Sequence, residues 1–493
     1  MSARPLICAS LMTVLCVACG SSGDDDGVDP NTDSDGDTIT DGDEGAGAVD
    51  TDGDGTPDSQ DTDTDGDGID DSREAGDTSP ATPPVDSDGD GTPDFRDTDS
   101  DNNGIRDGDD GTGDADGDGR PDFQDTDDDN DGLSDATEIG DAANPNDSDG
   151  DGTPDHQDTD SDNDGLPDIG EGIGDADGDG IEDWVDPRND GPPPTLTFTA
   201  ISTTFNNPIG IDYHQPTNSV VMSVNYPTGV PSNIERVQLD GTHVPFSTFM
   251  GMTDEVKIAT VRPGNMGGFI AGDLFIGNGI DGQINRVTDN GATLINPWVD
   301  LPGVNNGLMR GSLYLDRTGV FGGDLIVVTT TGEVWRITSA GVPTRLAAVG
   351  VHLEGMIVVP PFPARFGPLA GQIIAGAEGQ GLLYAINAAG AVTTYTLGVA
   401  VEDIDLVEPE ENFFGVNYGT GRLLGVPREA WRSIHGDVVL TQEAVTAGTT
   451  GLFRIYWNGT TLAAQAFPLG AGSATVAQWE HVTFAAAGIV EIP

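Results

Sequence analysis

"AGDLFIGNGIDGQINRVTDNGATL", residues 271–294, reads as strand, loop, strand, Gly turn, strand. Its apolar and β-branched runs are broken by Gly, Asn and Asp, which is the signature of short antiparallel strands joined by tight turns. The same pattern returns in "GGDLIVVTTTGEVWRITSAGVPTRL" (322–346), "AGQIIAGAEGQGLLYAINAAGAVTTYTL" (370–397) and "HGDVVLTQEAVTAGTTGLFRIYWNGTTL" (435–462). Fainter copies are "NSVVMSVNYPTGVPSNIERVQLDGTHV" (218–244) and "NFFGVNYGTGRLLGVPR" (412–428). A further strand precedes most copies, such as "EVKIATV", "EGMIVVP" or "EDIDLVE". Four short strands repeating about every 50 residues make a propeller blade. Six units over residues 196–493 predict six blades, with five to seven open because the units at 412 and 435 lie close together. The closing "WEHVTFAAAGI" reads as an inner strand that completes the ring with the first blade. The expected fold class is therefore all-β, a β-propeller preceded by an irregular repeat array.

Working outward, the residues before 196 have a different composition. The chain of 493 residues carries 86 acidic and 19 basic side chains, a net charge of −67. Residues 1–191 hold 61 acids against 6 bases, a net of −55. A charge this negative excludes nucleic acid as a partner, since phosphates would be repelled, and points to cations. The acids keep a register. Counting Asp63 as position 1, Asp65 is 3, Asp67 is 5, Gly68 is 6, Asp71 is 9 and Glu74 is 12. That spacing matches a calcium loop, in which alternate side chains and one backbone carbonyl wrap a single ion and Gly permits the sharp turn. The register begins at Asp33, Asp50, Asp63, Asp86, Asp99, Asp114, Asp127, Asp147, Asp160 and Asp175. The copy at Asp33 is the weakest, with Thr38 where Gly is expected.

The candidate metal ligands follow copy by copy. The first pair of loops offers Asp50, Asp52, Asp54, Asp58 and Asp61, then Asp63, Asp65, Asp67, Asp71 and Glu74. The second offers Asp86, Asp88, Asp90, Asp94 and Asp97, then Asp99, Asp101, Asn103, Asp107 and Asp110. The third offers Asp114, Asp116, Asp118, Asp122 and Asp125, then Asp127, Asp129, Asp131, Asp135 and Glu138. The fourth offers Asp147, Asp149, Asp151, Asp155 and Asp158, then Asp160, Asp162, Asp164, Asp168 and Glu171. A last copy offers Asp175, Asp177, Asp179, Asp183 and Asp186. A solvated acidic linker would have the same composition, but random acidity would not place Gly at position 6 in nine of the ten copies. Pro57, Pro93, Pro121 and Pro154 at position 8, with no apolar helical periodicity between loops, rule out the flanking helices of an EF-hand.

These paired loops resemble bacterial thrombospondin type 3 repeats over residues 33–186. The resemblance implies calcium bound without regular secondary structure, and an array that depends on its ions because it lacks bridging cysteines. The second half resembles NHL-like and gluconolactonase-like propellers. It is similar also to a class of exported bacterial propellers carrying "HLEG", "AGAEGQG" and "WEHVTF" motifs, a resemblance that implies no activity.

The N-terminus "MSARPLICASLMTVLCVACGSSG" has one Arg and an apolar run of secretory length, too short to span a membrane. "CVACGSS" resembles a bacterial lipoprotein signal, which implies cleavage after residue 18, lipidation of Cys19 and anchorage in the outer membrane, on its periplasmic or outer face. Position 16 departs from the pattern, being Cys where Leu is usual. All three cysteines lie in this region, so no disulfide framework supports the mature chain. The expected organisation is a signal at 1–18, a tether at 19–32, calcium-binding repeats at 33–186, a Pro-rich hinge at 187–195 and a propeller at 196–493.

Carboxylates start several inner strands: Glu255, Glu354, Glu402 and Glu480, with Asn207 and Asn306 at comparable places and His352 and His481 beside two of them. If they converge in the axial channel they would suit a hard cation and, through activated water, hydrolysis of a lactone or sugar. Glu354, Glu402, Glu480 and His481 are the catalytic candidates. Two functions follow. One is a calcium-ordered surface lipoprotein whose propeller binds a protein or glycan partner. The other is an exported propeller hydrolase.

Overall fold

The computed structural model describes residues 29–142, 144–175, 180–188, 192–202, 205–224, 233–238, 240–247, 249, 255, 257–303, 305–308, 310, 312–408 and 411–486. The signal, Cys19 and the first part of the tether lie outside them, as do Asp177 and Asp179. Two compact units divide the chain, one ending at Asp128 and one running from Asp129. The repeats from Asp129 on therefore belong to the same unit as the propeller.

In the second unit, six four-stranded antiparallel sheets form a six-blade propeller. Its inner strands are Ile211–His214, Ile258–Thr260, Ser312–Leu315, Glu354–Val358, Val401–Leu406 and Trp479–Ala486, each beside the next around the ring. Middle strands such as Leu325–Val328 and Ile373–Ala377 are buried on both faces, because sheets pack on either side of them. That is why they read as unbroken Val, Ile, Leu and Ala rather than as an alternating pattern.

The last two blades exchange strands, which accounts for the crowded units at 412 and 435. After the fifth inner strand, Val401–Leu406, the chain crosses to build the middle of blade six with Glu411–Asn417 and Arg422–Val426. It then returns to complete blade five with Val438–Gln442, Leu452–Trp457 and Leu462–Ala466. Blade six takes its inner strand from Trp479–Ala486 and its outer strand from Thr199–Ser202. The ring is thus closed by the two ends of the domain in one sheet, and "WEHVTF" belongs to the sixth blade rather than the first. Aromatic packing fastens this closure. Phe198 lies 6.0 Å from Phe413 and 5.4 Å from Trp479 between ring centroids, and Trp431 stacks 5.3 Å from Phe413.

Among the described residues the repeats carry single helical turns and no longer helix. The first copy of each pair forms a 3-10 turn, as at Asp58–Gln60 and Asp94–Arg96, while the second forms one α-turn, as at Asp71–Glu74 and Asp135–Glu138. Several loops bury one apolar side chain, among them Ile39, Ile69, Phe95, Ile105, Phe123 and Trp184. So small a core leaves most of the order to polar contacts. Among the described residues no helix is long and apolar enough to cross a membrane.

Candidate functional site: carboxylate loops and an axial glutamate cluster

One hydrogen-bond grammar organises the loops. The position-9 N–H closes each loop onto the carbonyl before position 1, as from Asp71 to Thr62 at 3.0 Å and from Asp94 to Val85 at 3.0 Å. The position-9 carboxylate then clamps position 2. Asp71 accepts from the Thr64 N–H at 2.8 Å and from its hydroxyl at 2.6 Å. Asp58 with Thr51, Asp94 with Ser87, Asp107 with Ser100, and Asp155 with Ser148 repeat the arrangement. In these copies both oxygens at position 9 are therefore engaged inside the loop. The sequence signal for this clamp, Ser or Thr at position 2, was legible in the register and went unread.

Positions 3 and 5 behave differently. One oxygen of each accepts the N–H two residues on, as Asp65 does from Asp67 at 3.1 Å and Asp67 does from Ile69 at 2.8 Å. This is an Asx turn, and it aims the other oxygen into the loop. The Oδ2 atoms of Asp65 and Asp67, Oδ1 of Asp63 and both oxygens of Glu74 are buried and make no hydrogen bond. Asp63, Asp65 and Asp67 bring ligand atoms within 4.8 Å of one another. Glu74 is fully buried, and burial with Asp65, Asp67, Asp71 and Asp107 around it pushes its carboxyl up to about 11. The same holds for Glu44 and Glu138, each buried with both oxygens unpartnered and each pushed up to about 9, first by burial and then by neighbouring aspartates. A buried, unpartnered carboxylate is costly enough that proteins pair it or give it a metal. The donor set, all carboxylate oxygens, suits a hard divalent cation such as Ca²⁺.

The copies are not equivalent. Asp50, Asp52 and Asp54 are all exposed, as are Asp86 and Asp90, Asp114 and Asp118, and Asp147 and Asp151. These are the first copies of the four pairs. The copies at Asp63, Asp99, Asp127 and Asp160 bury their position-3 side chain. Neighbouring buried copies also meet: Asp37, Glu44 and Asp71 form one cluster of ligand atoms across two loops.

In the propeller, Glu354, Glu402 and Glu480 converge, and local backbone explains how. The inner strand slips register between Glu354 and Met356, between Val401 and Ile404, and opposite Gly415–Asn417, where Glu480 lies. Each glutamate thus sits on a β-bulge, the irregularity that re-aims a side chain. Gly355 at φ 53° is required there, because a Cβ would stand 2.5 Å from the Cα of Asp403 on the next inner strand. All three glutamates are buried, at 5%, 3% and 4% exposure.

Their centre is taken by an ammonium. Lys257 is 1% exposed, with Nζ 3.3 Å from Glu402 Oε1. Burial alone would lower its pKa, but Glu402, Glu354 and Asp403 hold it charged. Glu354 stays ionised despite burial, helped by His352 at 3.1 Å and by Lys257. Glu402 is driven well up by burial, and Glu480 up to about 8 for the same first reason. Gln478 bridges Glu480, at 3.1 Å, to Glu443, and Glu443 in turn hydrogen-bonds Glu378. Glu443 and Glu378 were not singled out in the sequence because they lie in loops outside the inner strands. Glu255 belongs to the cluster's edge, 3.6 Å from Arg310. The two asparagines do not join it. Asn306 donates to the Leu301 carbonyl at 2.9 Å, and Asn207 is a half-buried bend residue in the left-handed region.

Deeper along the axis, a cavity of about 50 Å³ is lined by Asp212, Lys257, Tyr314, Asp403, Asp405 and His481 among others. The aspartates there bind backbone rather than ligand. Asp212 accepts from Thr260 N–H at 2.7 Å, Asp403 from Val482 N–H at 2.8 Å and Asp405 from Phe484 N–H at 3.2 Å. They lace neighbouring inner strands together. The cluster does not fit a divalent ion: Lys257 already supplies the positive charge among the carboxylates that would ligate one.

No protein-family model matches the sequence, and no curated protein matches it. Solved structures similar to the chain include virginiamycin B lyase from Staphylococcus aureus, at 12% identity over 60% of this chain and 97% of that one, with a TM-score of 0.35. A putative gluconolactonase matches at 13% identity over 57% of this chain and 96% of its own, with a TM-score of 0.34. A protein of unknown function from Bacteroides thetaiotaomicron matches at 12% identity over 60% and 74%, with a TM-score of 0.38. Similarities this remote carry no argument about activity; the six sheets themselves show that the chain contains a six-blade β-propeller.

Proposed function

We propose that the protein is a calcium-binding surface lipoprotein. Its repeats, of the thrombospondin type 3 kind, are ordered by Ca²⁺ and carry the propeller, which binds a protein or glycan partner. Cys19 is the anchor to the outer membrane in this reading. One observation carries the calcium assignment: Glu44, Glu74 and Glu138 at position 12 are buried with both oxygens unpartnered. Ions at these places would remove both the desolvation cost and the mutual repulsion. Positions 1, 3, 5 and 12 are the ligands in this reading, with position 9 as the internal clamp. Extracellular calcium modules bind with Kd on the order of 10⁻⁴–10⁻³ M, so the array is ordered where calcium is millimolar. The test is titration of the metal-free mature chain with CaCl₂, followed by calorimetry and small-angle scattering. Binding of several equivalents with contraction of the chain supports the reading; scattering and heat unchanged by calcium or EDTA refute it.

The propeller is read as a binding module rather than a metal-dependent hydrolase, because Lys257 stands among the carboxylates that a catalytic ion would need.

A further inference from the structure

The loop that begins at Asp160 keeps a buried, unpartnered Asp162 Oδ2 and Glu171 Oε2 like its relatives, but differs in what meets the inward oxygen of position 5. At position 5, Asp164 accepts the Leu166 N–H on Oδ1 at 2.8 Å, just as Asp67 accepts that of Ile69. In Asp67 the other oxygen is unpartnered. In Asp164 it is paired with Nη1 of Arg365, which comes from the propeller. Arg365 is only 6% exposed. It extends from the helical turn Pro363–Phe366, whose Phe366 packs into the blade core. Its second amino group donates to the His435 carbonyl, and Asp437 lies 3.9 Å away. Its charge also reaches Asp160 and Asp162.

Two glycines make room for this contact. A Cβ on Gly436 would lie 2.9 Å from the guanidinium carbon of Arg365, and one on Gly165 would lie 2.2 Å from the Phe362 ring. Gly165, the position-6 glycine of the loop, thus also seats an aromatic side chain of the propeller. A guanidinium suits the task because it stays charged when buried and presents fixed donors to a carboxylate.

We propose that Arg365 takes the place of a cation in the loop beginning at Asp160, so that this loop fastens the last repeats to the propeller without calcium. The proposal rests on the calcium reading of the other loops. It makes the number of bound ions smaller than the number of loops, and it makes the fastening insensitive to chelator.

Hydrogen–deuterium exchange on the mature full-length chain, in millimolar CaCl₂ and in EDTA, tests it. In the wild type, amides of 63–74 should lose protection in EDTA while those of 160–171 keep it. Arg365→Gln should expose 160–171 in EDTA, with exchange faster by on the order of tenfold. Calcium should restore that protection, and bound calcium should rise by about one equivalent. Asp164→Asn breaks the same contact from the loop side, so it serves if Arg365→Gln disturbs the propeller; it should expose 160–171 in EDTA as well. Equal loss of protection at 63–74 and 160–171 in wild-type EDTA samples overturns the proposal, as does unchanged exchange in both variants. If calcium alters no loop, the calcium reading fails instead, and the fastening is judged by the two variants in EDTA alone.

Discussion

Replacing Lys257 with Met removes the ammonium from the axial cluster and keeps most of its volume. The carboxylate of Glu402, 3.3 Å away, then loses its counter-charge in a site 3% exposed. Breaking a buried pair from one side costs about 3–5 kcal/mol. For a domain of this size, taking about 2 °C per kcal/mol, the melting temperature should fall by about 6–10 °C at pH 8. The penalty should shrink on acidification. Glu402, Glu480 and Asp403 all have folded pKa values raised by burial, Glu480 to about 8 and Asp403 to about 7. A carboxyl raised in the folded state binds more protons folded than unfolded, so its contribution improves as pH falls from the folded value toward the unfolded one near 4–4.5. Lys257 is charged in both states throughout this range and adds no slope. Wild type therefore gains modestly from pH 8 to pH 5, and the variant, without the ammonium among these carboxylates, gains more. Calorimetric melts of both proteins at the two pH values, with calcium constant, measure the difference. The double variant Lys257→Met/Glu402→Gln should recover part of the loss. A deficit equal at pH 5 and pH 8, or a variant within about 1 °C of wild type at both, would refute the reasoning.

Phe198→Ala should weaken ring closure, because Phe198 is 2% exposed against Phe413 and Trp479; a loss of about 3–5 kcal/mol in denaturant unfolding is expected. Glu74→Gln should remove about one calcium equivalent in a binding titration while leaving propeller melting unchanged, since Glu74 lies in the first unit. Thr64→Ala deletes the hydroxyl arm of the position-2 clamp to Asp71 and should speed amide exchange in that loop, a local loss of about 1 kcal/mol. In EDTA the array should tighten as pH falls from about 9 toward about 4.5, since Glu44, Glu74 and Glu138 bind protons more readily folded than unfolded; small-angle scattering across pH checks the sign.

Much of this molecule is written in short-range pattern. The calcium-type register is local, because an Asx turn spans two residues and the position-9 clamp spans seven. Five of the six blades are equally local, since a Gly-punctuated triplet of strands folds on itself in each. Glu354, Glu402 and Glu480 are legible as carboxylates near strand starts, and the bulges that turn them inward belong to the sheets. The clamp at position 2 is also local, since its Ser and Thr residues stand in the same register, seven residues before the carboxylate they bond.

What the tertiary structure alone decided involves partners far apart in sequence. Lys257 meets Glu402 across 145 residues, and nothing around Lys257 marks it as the centre of a carboxylate cluster. Blade six is assembled from 199–202, 411–426 and 479–486, so its composition depends on which sheet edges remain open when the ring closes. Arg365 reaches Asp164 across 201 residues, and turns one loop of a repeating series into a fastening. Periodicity determines what each segment becomes by itself. Burial, which gives a charge its cost and therefore its need for a partner, is a property of the assembled fold.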